Sequence, residues 1–219
     1  MPPRIRRSLL PLMLLLAVAS LALGLMVGSV NIPGTEIWLH LLADDGSIND
    51  RIVDQLRLPR VLTAFAVGGL LALAGALMQV LLRNPLGDPY VLGISGGAAT
   101  AVLSAMLLSL PSLWHTPAAA GGALLRTLLV FGLARNADDW HGDRLLLTGV
   151  VVAAGWSALI GFILSISPAG RLPGMLFWLM GDLADAHRPL PPLMLLACGL
   201  GVAMLRARDL NIATQGLLQ

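Results

Sequence analysis

The chain has 219 residues, of which 57% are hydrophobic and only 12% are charged. Soluble domains carry about 25% charged residues, so this composition excludes a disordered chain and indicates a protein that lies in a lipid bilayer. The net charge of +2 is too small for a nucleic-acid-binding surface. The single cysteine, Cys198, excludes an internal disulfide, and the four histidines are scattered without metal-ligand spacing. We therefore expect no metal, no cofactor and no nucleic-acid partner.

Stretches without charged residues predict six transmembrane helices. A helix needs about 20 apolar residues to cross the hydrocarbon core. The longest charge-free stretch, residues 89–125, is too long for one helix, and Pro111 and Pro117 divide it in two. The predicted helices lie at residues 9–29, 58–82, 90–109, 117–134, 144–166 and 190–206. The expected fold class is an all-α polytopic membrane protein, with residues 1–219 in one transmembrane domain.

The arginines predict the orientation of the chain. Arg4, Arg6 and Arg7 precede the first apolar stretch, and eight arginines fall on their side of the membrane against five on the other. The positive-inside rule then places the N-terminus in the cytoplasm. A cleavable signal peptide is the alternative for the first segment, because residues 17–19 form a small-residue pattern. Since the apolar stretch continues to Val30, long enough to span, we favour a retained helix.

Two predicted helices carry small residues four positions apart. They are Ala64, Gly68, Ala72 and Ala76 on the second helix, and Gly149, Ala153, Ser157, Gly161 and Ser165 on the fifth. Small residues let membrane helices approach one another closely, so the simplest interpretation is tight packing of the bundle. The second interpretation is that Ser157 and Ser165 border a substrate pathway.

Arg126 falls inside the fourth predicted helix. It precedes Arg135 by nine residues, which places it about 13 Å from that end of the helix. A charge at this depth is costly and usually faces the interior of the protein or a cavity. One hypothesis is a contact with an anionic group on a substrate pathway, and the alternative is a shifted helix or a structural pair.

The most specific pattern lies in residues 57–97. Residues 57–60 read RLPR, 67–79 read VGGLLALAGALMQ, 83–89 read RNPLGDP and 91–98 read VLGISGGA. Asn84 with Pro85 ends one helix, and Asp88 with Pro89 begins the next, so a short turn joins two spans.

This pattern resembles the FecCD-type permeases, the membrane subunits of ABC importers for iron–siderophore complexes, haem and vitamin B12. Later segments of the family resemble residues 144–149, 177–181 and 210–211. The resemblance implies a permease of the inner (plasma) membrane that works by alternating access, while a separate ABC ATPase subunit hydrolyses ATP. The chain would then not be an enzyme. Among the cargoes of the family, we expect an iron–siderophore complex before haem or vitamin B12.

The family also implies partner proteins and a larger assembly. The expected partners are the ATPase, a periplasmic or lipid-anchored substrate-binding protein and a second permease chain, all assembled in the bilayer. The resemblance implies about ten helices, of which this chain would supply the first six. The ATPase-coupling region would begin at Leu210, Asn211 and Gly216, and the family then continues with acidic residues where this chain reaches Gln219. We therefore expect an N-terminal portion of a permease that does not import substrate alone.

The resemblance further assigns roles to two groups of residues. Arg57 and Arg60 would dock the acidic surface of the binding protein, since guanidinium–carboxylate pairs are strong and often bidentate. Anchoring of these arginines at the lipid headgroups is the alternative. The cytoplasmic gate would be formed by Asn84, Leu86, His141 and Gly142. Ordinary helix-capping turns are the alternative for the gate residues.

Two other functions compete with transport. Residues 93–97 match G-x-S-x-G, the nucleophile pattern of serine hydrolases, with Ser95 as the candidate nucleophile. A serine nucleophile needs a base within hydrogen-bond reach, and no histidine lies inside a predicted span. The other alternative is a structural membrane protein without transport activity.

Overall fold

The computed structural model of the chain describes residues 3–28, 33, 48–82, 84, 88, 94–135, 142–183 and 186–207. Every element among these residues is helical, which confirms the predicted all-α fold class. The helices are α1 (Pro3–Met26), α2 (Ile48–Ile52), α3 (Leu58–Leu82), α4 (Ile94–Leu107), α5 (His115–Arg135), α6 (Gly142–Ile166), α7 (Leu172–Met180) and α8 (Leu190–Leu205). A π turn, Val53–Arg57, joins α2 to α3, and a 3₁₀ turn, Ser112–Trp114, precedes α5.

Each of the six predicted spans coincides with a helix. Three helical segments are long and apolar enough to cross a membrane, namely Val53–Leu82, Ser112–Ala134 and Leu145–Ile166. Shorter apolar helices occupy the other three predicted spans, Pro11–Met26, Ile94–Leu107 and Leu190–Leu205. The predicted start of the third span, residues 90–93, lies outside the described residues.

The second span begins earlier than predicted. The sequence predicted a start at residue 58, but the helical backbone runs from Ile48 through the π turn into α3 without a break. The N–H of Leu58 donates to the carbonyl of Val53, five residues back. Pro59 explains this wider turn, because a proline ring clashes with the carbonyl four residues earlier, at Gln55. The backbone thus accommodates the proline locally and continues as a helix.

Two features depart from the prediction, the end of α4 and an additional short helix, α7. Helix α4 ends at Leu107, two residues early, because Ser109 adopts a left-handed φ of 59°. The N–H of Leu110 then donates to the carbonyl of Ala105 at 2.9 Å, which closes the helix in a Schellman-type turn. Helix α7 was not predicted as a separate element, because its nine residues are too short to stand out as a span.

The chain divides into two compact units, each of which has its own packing. The first comprises Met1–Leu70 with Leu183–Gly201. In this unit a Cβ on Gly24 of α1 would lie 2.9 Å from the Val61 side chain of α3, and a Cβ on Gly69 of α3 would lie 2.9 Å from Leu196 of α8. These glycines therefore permit close helix contacts. The small residues that the sequence singled out on α3 do not lie in such contacts, because all four are exposed. They are Ala64, Gly68, Ala72 and Ala76.

The second unit comprises Leu71–Asp182 with Val202–Gln219. Its tightest helix crossing joins α4 to α5, where a Cβ on Gly97 would collide with the carbonyl oxygen of Gly122, and the reverse is also true. Only glycine permits two helix backbones to approach this closely. Leu103 of α4 then packs with Ile163 of α6 and Met175 of α7 in a buried cluster. The crossing therefore fixes α4 against the helices that surround Arg126.

Large apolar side chains cover much of the described surface. Leu147 and Val151 on α6 are 68% and 72% exposed, and α1 and α8 show similar apolar faces. Contiguous exposed apolar surface on this scale marks a membrane or protein interface. Together with the three long apolar spans, it identifies a multi-pass membrane protein.

Candidate transport site and the buried arginines

Arg57 closes the end of α1. Its Nη1 donates to the carbonyl oxygens of Leu25 at 2.7 Å and Met26 at 3.2 Å. These are the last residues of the helix, whose carbonyls have no partner within the helix and carry its negative dipole end. Gly28 makes the approach possible, because a Cβ there would lie 2.9 Å from Nη2. Arg57 is therefore buried, with only 9% of its surface exposed.

Arg60 lies one turn further along α3 in a different environment. Its side chain is exposed, whereas that of Arg57 is not. The structure thus separates the two predicted docking residues into one buried side chain and one that is accessible. The sequence could not reveal the contact of Arg57 with α1, because the bonded groups lie 31 and 32 positions apart.

Arg171 makes the same kind of contact in the second unit. Its Nη1 donates to the carbonyl oxygens of Met106 at 3.2 Å and Leu107 at 2.5 Å, at the end of α4. Unlike Arg57, this arginine is exposed. Sequence reasoning missed this contact as well, since its partners lie 64 and 65 positions away.

The predicted gate residues fall at helix ends, and only part of the set is described. The backbone N–H of Asn84 donates to the carbonyl of Gln79 at 3.2 Å, just beyond the end of α3. Gly142 is the first residue of α6. Leu86 and His141 lie outside the described residues, and so do the coupling residues Leu210, Asn211 and Gly216. Their predicted roles therefore stay predictions.

Arg126 is the most deeply buried charged side chain of the described residues, with 1% of its surface exposed. Its Nη2 donates to the carbonyl oxygen of Gly149 on α6 at 3.5 Å, which is the outer limit of a hydrogen bond. Its Nε finds no acceptor among the described residues. The guanidinium is thus buried with one weak hydrogen bond, a costly arrangement.

Glycine makes room for the Arg126 guanidinium. A Cβ on Gly96 of α4 would lie 2.5 Å from Nη1 of Arg126 and 3.0 Å from Cβ of Trp156. Because Gly96 has no side chain, the guanidinium of Arg126 can occupy the space beside it.

Arg126 lines a cavity of about 330 Å³ within the second unit, which we name the Arg126 cavity. Its wall comes from α4, α5, α6 and α7 and includes Ser95, Gly96, Arg126, Ser157 and Trp178. The structure thus brings together two of the three predicted pathway residues, Arg126 and Ser157. The third, Ser165, is exposed two turns further along α6 and does not line the cavity. Trp178 is a wall residue that sequence reasoning did not single out.

Ser95, the candidate nucleophile of the hydrolase alternative, lies in the same wall as the second residue of α4. None of the described residues that line the cavity with it is a histidine. The strand that precedes a hydrolase elbow would fall in residues 89–93, which lie outside the described residues. Nothing in the described structure therefore favours a serine hydrolase.

The helix arrangement defines the class of protein. A solved structure described as an inward-facing conformation of a metal-chelate type ABC transporter superposes with a TM-score of 0.76 at 26% identity, covering 95% of this chain and 65% of that one. The chain therefore has the fold of an ABC importer permease.

The sequence comparison gives the particular family. The model of the FecCD transport family matches residues 14–217, so the chain belongs to the FecCD transport family. The vitamin B12 import system permease protein BtuC of Vibrio vulnificus is 39% identical over 200 residues, which is 88% of this chain and 57% of that protein. The hemin transport system permease protein HmuU of Yersinia pestis is 37% identical, covering 97% of this chain and 65% of HmuU.

A third relative is named for the transport of ferric enterobactin. The ferric enterobactin transport system permease protein FepD of Escherichia coli is 35% identical over 96% of this chain and 64% of FepD. The chain thus spans between 57% and 65% of the length of these three relatives.

Proposed function

We propose that this chain is the membrane-spanning permease subunit of an ABC importer, with ATP binding and hydrolysis in a separate subunit. The observation that carries the proposal is the match of residues 14–217 to the FecCD transport family, supported by the shared permease fold. The chain contains no G-x-x-x-x-G-K-[ST] motif of its own for cradling nucleotide phosphates, as it has no lysine.

The proposed cargo is an iron–siderophore complex, with haem and vitamin B12 as the next candidates. Relatives named for vitamin B12, hemin and ferric enterobactin match at similar identities of 39%, 37% and 35%. Because these identities differ so little, they support a chelate-type cargo without selecting one. In such an importer the binding protein carries most of the selectivity, and the permease supplies the pathway.

The proposed docking contact uses the two arginines differently. Arg60 is exposed and offers a guanidinium to acidic groups of the binding protein. Arg57 is buried against the end of α1 and would support docking by holding that helix end beside α3. The cytoplasmic gate and the ATPase-coupling segment complete the proposal, through the residues that the family resemblance assigns to them.

Uptake of labelled cargo tests the transport function. The chain is expressed in cells that lack their own importer, together with its ATPase and binding protein. A second permease chain, which carries the C-terminal helices of a FecCD relative, is supplied with them. We expect uptake of the labelled cargo, and its absence would contradict the permease function.

Charge reversal tests the docking contact. Arg60→Glu should weaken association with the binding protein by about 10-fold at low salt, where charge contacts are least screened. Arg188→Glu is a matched control, because Arg188 is also exposed and is predicted on the same side of the membrane. Acidic-to-arginine changes on the binding protein should partly restore the affinity of Arg60→Glu. Equal affinities of the two variants would leave only lipid anchoring for Arg60.

A further inference from the structure

Arg126 is a buried charge without adequate partners among the described residues. Arg126 is 1% exposed, its Nε has no acceptor among the described residues, and its one hydrogen bond is 3.5 Å long. Ionisable groups inside membrane helices are expensive and normally pair with a counter-charge or face a water-filled cavity. None of the described residues that line the Arg126 cavity is acidic. The guanidinium therefore has unused donors beside an open volume.

The carbonyl that Arg126 contacts cannot satisfy it. Gly149 lies inside α6, where each carbonyl already accepts the N–H of the residue four positions later. A second donor can only share that oxygen, which explains the long distance. The guanidinium retains its capacity for a bidentate acceptor, and a carboxylate or phosphate group has the geometry that it prefers.

The surroundings of the guanidinium form a built site. Gly96 leaves the space that Nη1 occupies, Ser95 contributes a hydroxyl to the wall, and Trp178 contributes an aromatic surface. The volume of about 330 Å³ is at the small end of the roughly 300–1,000 Å³ of small-molecule pockets. The cavity is therefore large enough to hold one acidic arm of a molecule.

The depth of Arg126 limits where the anion can come from. It lies eleven residues after His115, about 16 Å along the axis of α5 and near the middle of that helix. Lipid phosphates lie outside a hydrocarbon core that is about 30 Å thick, so they are about 15 Å from its centre. The acidic group is thus more readily delivered by a solute that enters the membrane domain than by a lipid.

We propose that the Arg126 cavity is an intramembrane binding site for a single carboxylate or phosphate group. Arg126 holds this group in bidentate contact, and Trp178 packs against the apolar atoms of the ligand next to the group. The acidic group is carried on the transported cargo, so the site favours anionic chelates over neutral ones. The delivery on cargo rests on the proposed transport function, whereas binding of the anion by the cavity does not.

The first experiment measures binding of 4-fluorobenzoate to the full chain by fluorine NMR. This probe combines a carboxylate for Arg126 with a ring for Trp178. The chain is held in maltoside micelles, which contain no phosphate. We expect saturable broadening of the probe resonance, and Arg126→Gln should reduce the affinity by about 10- to 100-fold, the loss expected for hydrogen bonds to a charged group.

Two glycine variants keep the charge and test the geometry. Gly96→Ala places a methyl group where Nη1 lies and should weaken binding several-fold by displacing the guanidinium. Gly121→Ala is the matched control on α5, because a Cβ at Gly121 meets nothing within 4 Å. Wild-type affinity for Gly96→Ala, or for Arg126→Gln, would overturn the proposed site.

A second titration, in the presence of lipid, tests whether the anion comes from a solute or from a lipid headgroup. The same titration is repeated in phosphatidylcholine nanodiscs, whose headgroups carry phosphate without net surface charge. Equal affinity in micelles and nanodiscs supports delivery by a solute. Binding that is lost in nanodiscs would show that a lipid phosphate occupies the cavity and would overturn the assignment to cargo.

The failure of this inference is distinguishable from failure of the transport function. Probe binding needs neither the ATPase nor the binding protein, whereas uptake needs both. In the assembled importer, Arg126→Gln should reduce uptake of an anionic cargo more than uptake of a neutral one. Equal reduction of both would overturn the preference for anionic cargo, even if the complex transports.

Discussion

Arg57 in the first unit and Arg126 in the second unit are both buried, but their guanidinium groups differ in how well their hydrogen-bond donors are satisfied. Arg57 reaches two carbonyl oxygens at the end of α1, at 2.7 and 3.2 Å. Arg126 reaches one carbonyl inside α6, that of Gly149, at 3.5 Å. The last carbonyls of a helix lack partners, whereas carbonyls inside a helix are already occupied. A buried arginine is therefore satisfied at a helix end and left under-satisfied beside a helix centre.

Arg171 shows that the difference follows from helix position and not from the unit. It belongs to the second unit, as Arg126 does, but it donates to the last two carbonyls of α4. The arginines at helix ends thus stabilise the fold, while the arginine beside a helix centre retains donors for a ligand.

Arg57→Met should produce the largest loss of stability. The change removes charge-assisted hydrogen bonds from a buried side chain to the last carbonyls of α1, at Leu25 and Met26, at a cost of about 2–3 kcal/mol. Thermal unfolding in maltoside micelles measures the effect as a lower melting temperature. Arg57→Lys should recover part of it, since an ammonium group still donates to these carbonyls.

Arg60→Met is the control for that experiment, because Arg60 is exposed one turn away on the same helix. Its melting temperature should change much less than that of Arg57→Met. Equal shifts of the two variants would contradict the view that burial at the α1 end gives Arg57 its structural role.

Arg126→Met should change the stability in the opposite direction and by a smaller amount. Replacing a buried, under-satisfied cation with an apolar side chain of similar length should stabilise the chain by about 1–2 kcal/mol. The melting temperature should rise in the absence of anions, and 4-fluorobenzoate should stabilise the wild type but not the variant. A lower melting temperature for Arg126→Met would mean that Arg126 is a structural residue and would break the contrast with Arg57.

Arg171→Met should give the smallest change. Its hydrogen bonds to the end of α4 resemble those of Arg57, but the side chain is exposed and water can replace it. We expect a loss of about 0.5–1 kcal/mol, the usual contribution of an exposed cation at a helix C-terminus. The loss should shrink as salt is added, whereas the loss in Arg57→Met should not. A salt-independent loss as large as that of Arg57→Met would remove exposure as the distinguishing factor.

The sequence by itself determined the fold class, the positions of six apolar helices, three of them long enough to span a membrane, and the family. Apolar composition and charge-free length are local properties, and they decide whether a segment crosses a membrane. The residues of 57–97 were specific enough to indicate the FecCD resemblance, which the match over residues 14–217 confirms. The exact start of the second span was missed, because the effect of Pro59 on the preceding turn is a detail of backbone geometry that hydropathy does not contain.

Only the tertiary structure decided which residues meet. The sequence suggested helix contacts along the Ala64–Ala76 stripe, but the close approaches occur at Gly24, Gly69 and the pair Gly97 and Gly122. Many small residues can permit a contact, and the three-dimensional arrangement selects the ones that make it. The carbonyl partners of Arg57 and Arg171 lie 31 to 65 positions away, so no local pattern could identify them.

The candidate site also combines residues that the sequence predicted with residues that only the fold brings together. The sequence placed Arg126 deep in a span and proposed Ser157 and Ser165 as neighbours of a pathway. The fold brings Arg126 and Ser157 to one cavity, leaves Ser165 out, and adds Gly96 and Trp178. Depth in a helix follows from counting residues, but the face that a side chain occupies and the space beside it depend on how α4, α6 and α7 pack around α5.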